Sequence, residues 1–407
     1  MFHSTLRHFV TVGRLVVRGP DGLAHSYGDG SGPEVAIRLG KGWPLKLLLN
    51  PDLALGEAYM EGGLQFEQGD LPMLLDIVGR NVLLHRRGPG PLMRVLTHAM
   101  SMLSQLNDRR TSQRNVAHHY DLSTDLYRRF LDQDMQYSCA YFLRPDMTLD
   151  QAQKAKKIHI AEKLRIEPGM KVLDIGCGWG GLGLELAGTY GAQVLGVTLS
   201  KEQLAVARSR AQALGLQDRA HFSLTDYRDV AGPFDRIVSV GMLEHVGAPN
   251  FHAYFETVRN LLTEDGAALI HTIGRRLPPG VTQPWIAKYI FPGGYVPSLS
   301  EVSAAIETSE LWITDVEVQR LHYAETLRHW RERFMAQRAE IAAIYDERFC
   351  RMWEFYLAIS EIGFRYTGLM VLQLQLARTV DALPIVRDYM IDGERAQAQP
   401  ARKRSAA

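Results

Sequence analysis

From Val172 onward, short apolar runs alternate with glycine-rich breaks and with stretches of helical periodicity. Val172 to Ile175 is a compact apolar run of the kind that forms a buried strand. Val194–Val197, Ala220–Leu224, Phe234–Val240 and Ala267–His271 repeat the pattern. Between them, Leu182–Tyr190, Ser200 to about Leu214 and Phe251–Leu262 carry apolar residues at helical spacing. Ser200 with Gln203 three positions on predicts a capping box, and Gly215 a helix stop. Strands alternating with helices predict a parallel sheet covered on both faces. Ligands on such sheets sit at the carboxyl ends of the strands. That rule places Asp174, Gly176, Thr198, Asp226, Glu244 and His271 on one rim.

The flanking regions are less eloquent. Leu15–Val17 and Val35–Leu39 read as strands, and Pro51–Met60 as a short helix. A second helix runs to about Leu84, with Asp70 as its cap and Pro72 in its first turn. Residues 1–90 are expected to form an accessory domain that binds lipid or mediates dimerisation, and 91–392 the catalytic domain. His85–Pro91 reads as a linker. Beyond it, Leu92, Val95, Leu96, Ala99, Met100, Leu103 and Leu106 share one helix face. The basic residues Arg86, Arg87, Arg94, Arg109, Arg110 and Arg114 are candidates for contact with anionic lipid, although a solvated face is the simpler reading. The Pro-rich, aromatic stretch Gly274–Ser300 reads as a pocket wall or lid. Trp330–Met352 and Phe355–Val380 read as helices packed on the sheet or around an apolar cavity. A polar tail from Gly393 is expected to be disordered.

Composition narrows the choices only a little. Hydrophobic content of 46%, charged content of 22% and a formal charge of +1 describe an ordinary globular chain and argue against a nucleic-acid partner. No apolar run reaches the roughly 20 residues that span a bilayer, and the N-terminus lacks a signal-peptide pattern, so a cytoplasmic, peripherally membrane-associated protein is expected. Cys139, Cys177 and Cys350 make neither a disulfide framework nor a metal site.

The chemistry is concentrated in Lys171-Val-Leu-Asp-Ile-Gly-Cys-Gly-Trp-Gly180. A strand, a glycine-rich turn and a helix N-terminus let the backbone approach a ligand closely. The spacing of Asp174, Gly176, Gly178 and Gly180 resembles motif I of the class I methyltransferases, which bind S-adenosylmethionine (SAM). The fold this implies is Rossmann-like α/β, with a mostly parallel seven-stranded sheet. An Asp at the strand end suits the cationic amino group of SAM.

Further segments carry a more specific likeness. They are Ala117–Ser123, Met135–Tyr141, Thr198–Gln203, Gly241–Gly247 and Ile290–Gly294, in that order. The set resembles the cyclopropane-fatty-acyl-phospholipid synthases, which are similar to the mycolic acid cyclopropane synthases. The resemblance implies methyl transfer from SAM to a cis double bond of a phospholipid acyl chain. A proton then leaves the new methyl group and the ring closes, with bound bicarbonate as the base. By the same resemblance, the bicarbonate ligands are Cys139, Glu244, His271, Tyr323 and the backbone of Ile273. SAM would meet Tyr137 and Ser138 at its methionine end, Thr198 and Gln203 at the ribose, and Asp226 and Tyr227 at the adenine. Tyr137, Tyr141, Tyr289, Phe291 and Tyr295 are candidates for facing a carbocation or for ordinary core packing. A bilayer surface is the implied partner, and a homodimer the implied assembly. A fatty-acyl C-methyltransferase that leaves a branch, or a non-catalytic SAM- or lipid-binding protein, stays open beside it.

Overall fold

The computed structural model describes residues 1–85 and 123–398, folded as two compact units. The predicted helix over 92–106, the basic residues around it and most of the Ala117–Ser123 segment lie outside the described residues. Among the described residues no helix is long and apolar enough to cross a membrane.

The larger unit holds the predicted sheet. Its strands are β5 (Lys171–Ile175), β6 (Gln193–Thr198), β7 (Ala220–Leu224), β8 (Phe234–Val240), β9 (Leu262–Arg275), β10 (Trp312–Gln319) and β11 (Leu369–Ala377). They run in the order β10-β11-β9-β8-β5-β6-β7. β5 pairs in parallel with β6 on one side and with β8 on the other, so the chain reverses its direction of travel through the sheet at β5. β7 and β9 extend the parallel block, and β10 pairs antiparallel with β11. Val172, Val194, Phe222, Val238 and Leu269 pack one face against Leu182, Leu186 and Ala207 of the covering helices. Burying a Val, Leu or Phe side chain is worth about 1.5–3 kcal/mol, so this shared face holds the layers together.

Three expectations need correction here. The stretch Phe355–Val380 is not one helix. A helix ends at Ile362, a π-helical turn covers Gly363–Thr367, and β11 follows. Leu372, Leu374 and Leu376 alternate with Gln373 and Gln375, a period of two. Gln375 is buried because its side chain is satisfied: Nε2 donates to the Lys163 carbonyl (2.5 Å) and the Tyr389 hydroxyl (2.7 Å), and Oε1 accepts from the Thr314 hydroxyl (2.9 Å). The Ser200 capping box is only half made. Ser200 Oγ accepts from the Gln203 amide (3.3 Å), but the Gln203 side chain turns to Thr198 instead. Residues 393–398, expected in the disordered tail, finish the helix Asp388–Ala398, where Glu394 pairs with buried His159.

The smaller unit draws on the described part of residues 1–104 together with 275–294 and 323–370. Its sheet comprises β1 (Arg14–Arg18), β2 (Ala24–Tyr27), β3 (Glu34–Leu39) and β4 (Leu64–Gln68), in the order β2-β1-β3-β4. β1 and β3 are the strands expected from the sequence. The helices Pro51–Met60 and Leu71–Leu84 form as read, the second capped by Asp70 accepting from the Met73 amide (2.9 Å). Part of the Pro-rich insertion is a short helix, Pro284–Tyr289. Its Trp285 is fully buried, with the ring at 4.6 Å from Phe355 and against Gly56, where a Cβ would stand 2.4 Å from the indole nitrogen.

Candidate functional site

The strand order creates a crevice where the chain turns away on either side of β5. A cavity of about 210 Å³ lies there. Its wall begins with the turn after β5. Gly176 takes a φ of 79°, which an L side chain seldom adopts. Asp174 is buried behind this turn. Its Oδ2 has no hydrogen-bond partner, and burial raises its carboxyl to about 7. An orphaned carboxylate oxygen at a cavity wall suits a cationic group, so the residues present fit the α-amino end of SAM.

The other expected cofactor residues arrive from different strand ends. Tyr137, Ser138, Gly176, Gly178, Thr198, Gln203, Asp226 and Tyr227 all line the cavity. Thr198 Oγ1 donates to Gln203 Oε1 (3.0 Å) and accepts from the Ser200 amide (3.1 Å). That arrangement leaves the Gln203 amide nitrogen available to the cavity. Asp226 accepts from the Arg228 amide (3.1 Å) and Nε (2.8 Å), which fixes the turn carrying Tyr227. Gly180 does not face the cavity. It has a φ of 82° and a Cβ there would stand 2.9 Å from Ala207 and Phe222, so its role is close packing at the helix start.

Sequence reasoning missed several wall residues. Trp179 packs on Tyr127 with the rings tilted and 5.0 Å apart, and its carbonyl accepts from Arg210 (2.9 Å). His245 is held well below its usual range, at about 4, by burial and is therefore neutral. Gln136 lines the wall beside Ser138. A tryptophan within a glycine turn was the only one of these with a signal in its local sequence.

The expected catalytic residues are not part of that wall. Glu244 sits in a short 3-10 turn after β8. Its Oε1 accepts from the Ile273 amide (2.5 Å), while Oε2 is buried without a hydrogen bond; the Thr272 hydroxyl donates to the Ile273 carbonyl (3.2 Å). Burial raises the Glu244 carboxyl to about 7. His271 lies two residues before Ile273 on β9, on the same side of the strand. Burial lowers it to about 3, so its imidazole is neutral. Its Nδ1 accepts from Gln373 Nε2 (3.1 Å), which leaves the proton on Nε2. Gln373 was not singled out from the sequence. Glu244 is thus bonded to Ile273 of β9, and His271 lies two positions earlier on that strand, opposite Val240 at the end of β8.

Cys139 is fully buried on the segment that carries Tyr137 and Ser138, and its thiol donates to the Ala140 carbonyl (3.3 Å). Tyr323 belongs to the smaller unit, where its ring packs on Phe364 (4.8 Å) and Trp330 (5.8 Å). Of the aromatic candidates, Tyr137 lines the cavity. Tyr141 stacks on His159 at 4.1 Å, and Tyr295 is buried with its hydroxyl on Glu301 (2.7 Å). Tyr289 and Phe291 lie in the smaller unit, against Glu57 and Tyr356.

A seven-stranded sheet reversed at β5, with a carboxylate-backed glycine turn opening on its rim, defines a class I SAM-dependent methyltransferase. Comparison with known proteins narrows this. The chain belongs to the family described as Mycolic acid cyclopropane synthetase, whose pattern matches residues 107–374. Residues 1–82 match a second family, a domain of unknown function. The chain is 40% identical to the cyclopropane-fatty-acyl-phospholipid synthase of Escherichia coli K12 over 339 residues, 83% of this chain and 86% of that one. It is equally, 40%, identical to a probable fatty acid methyltransferase of Pseudomonas putida, over 82% of this chain and 85% of that one. The solved structure of the mycolic acid cyclopropane synthase CmaA1 complexed with SAH and CTAB superposes with a TM-score of 0.62. It is 35% identical and covers 65% of this chain and 98% of its own.

Proposed function

We propose that the protein is a cyclopropane-fatty-acyl-phospholipid synthase working at a bilayer surface from the cytoplasmic side. The supporting observation is a buried Glu244 carboxylate, held by the Ile273 amide with Oε2 left without a hydrogen bond, on the same sheet as a neutral His271 and a cavity lined by the expected SAM residues. The alkene is a poor nucleophile, so the protein's first task is to hold it against the sulfonium methyl. The cation that follows needs a dry site and an anionic neighbour. A small oxyanion base such as bicarbonate fits the donor and acceptor set. The Nε2–H of His271 donates, and the Ile273 amide fixes the Glu244 carboxylate that would orient the base. Cys139 adds a thiol from the same unit to the ligand set in this reading. Residues 1–90 would serve as a lipid-binding or dimerising accessory domain to a catalytic domain over 91–392.

The second reading is a fatty-acyl C-methyltransferase that leaves a branch. The Pseudomonas putida relative, equal in identity to the E. coli one, favours keeping it. Both reactions share the methyl transfer and differ in the fate of the cation. Incubation with SAM and vesicles of unsaturated phospholipid distinguishes them. A lipid heavier by one CH₂ that shows ring protons by NMR is expected. A branched product of the same mass supports the second reading, and no lipid product excludes both.

A further inference from the structure

Lys156 differs from the other buried lysines of its helix, Leu149–Lys163. Lys157 reaches the carboxylates of Asp134 (2.8 Å) and Glu185 (3.0 Å), and Lys163 pairs with Glu317. Lys156 is fully buried and donates to two neutral oxygens, Gln136 Oε1 (2.6 Å) and Ser138 Oγ (2.7 Å). Asp132, Asp134 and Asp174 act on it only through space. An ammonium buried without a carboxylate in contact is costly, and burial, with the neighbouring Lys157 charge, outweighs the aspartates and lowers it to about 8.

Both residues that Lys156 holds face the cavity. The segment they belong to is clamped from the same helix by Gln153, whose Nε2 donates to the carbonyls of Ser138 (2.9 Å) and Gln136 (3.2 Å). Gln136 passes its own amide to Asp134 (2.9 Å). Ser138 Oγ accepts from Lys156, so its hydroxyl proton remains to be given to another acceptor. The wall therefore includes the Asp174 carboxylate, whose Oδ2 has no hydrogen-bond partner, and a hydroxyl backed by a buried cation on Ser138. These are complementary to the two ends of a zwitterionic amino acid.

We propose that Lys156 is a positioning residue for the amino-acid end of SAM: it polarises the Ser138 hydroxyl toward the SAM carboxylate and supplies the buried positive charge that this carboxylate neutralises. The inference rests on the reading of the cavity as the SAM site. It also explains why the charge survives in the core, since the matching anion comes with the ligand.

The test is calorimetric titration of the full-length protein with S-adenosylhomocysteine and, separately, with 5′-methylthioadenosine, which keeps the nucleoside and thioether but lacks the amino-acid group. Lys156→Met is expected to weaken S-adenosylhomocysteine by at least about tenfold while changing 5′-methylthioadenosine by less than about twofold. Ser138→Ala is expected to shift the same ratio in the same direction, and the double variant to be no worse than Lys156→Met alone, because both act through one contact. Should Lys156→Met fail to fold, the ratio in Ser138→Ala carries the test. Unchanged S-adenosylhomocysteine affinity, or equal loss of both ligands, would overturn the proposal in favour of a purely structural lysine. A wild-type protein that binds neither ligand would instead overturn the cofactor reading beneath it.

Discussion

The cofactor cavity and the Glu244–His271 edge lie at the strand ends of one sheet and are built in opposite ways. The cavity is shaped by backbone. Its turn, its helix start and its short polar side chains come from contiguous stretches such as 174–182 and 198–203. The edge is shaped by side chains that meet from far apart: Glu244 on the Ile273 amide, and Gln373 on His271 across 102 positions of sequence. A backbone site tolerates many side-chain changes but not a Cβ in the wrong place. A side-chain cluster depends on each partner, because an unpaired buried polar group is costly.

The largest effect expected is at the edge. Glu244→Gln should lower turnover by about a hundredfold or more, while S-adenosylhomocysteine affinity stays within about twofold. Turnover near the wild-type rate, measured by methyl transfer to lipid, would dissolve the distinction between the two regions.

An intermediate effect is expected in the cavity, with the opposite split. Asp174→Asn should weaken S-adenosylhomocysteine by about ten- to a hundredfold. It should also change the pH dependence of the ligand-free protein. The folded carboxyl sits at about 7, above the ordinary Asp range, so the native state holds a proton that the unfolded chain has already released. Stability contributed by this group is therefore full below the unfolded value and is lost as pH rises toward 7. Asn mimics the neutral acid, so the variant should melt a few degrees above wild type at about pH 8 and level with it in acid. A variant that melts lower at both pH values would show that Asp174 is structural.

The smallest effect is expected from Gln373→Leu. His271 would lose the donor that fixes its tautomer, and turnover should fall by about tenfold with cofactor affinity unchanged. A change in cofactor affinity instead would place Gln373 with the cavity.

The same contrast explains what could be read from the sequence. The strands, the turn and the rim of carboxyl ends were legible because periodicity and glycine spacing are local signals. The strand at Leu369–Ala377 was missed because every residue from Val371 on is buried, so the apolar run looked helical until its glutamines were seen to alternate. Lys156 was invisible for a related reason. Gln-Ala-Gln-Lys-Ala-Lys-Lys reads as a solvated face, and only the paired charges at Asp134, Glu185 and Glu317 show how such a helix can be buried. Gln373 carries no motif of its own, since its meaning is its partner.

The central claim is that this site moves a methyl group onto an alkene and then removes one of that methyl's protons. SAM labelled with a CD₃ group, incubated with unsaturated phospholipid vesicles and the protein, measures this directly. The account predicts a lipid that retains two of the three deuteriums as a ring CD₂. A lipid that retains all three as a CD₃ branch would contradict it.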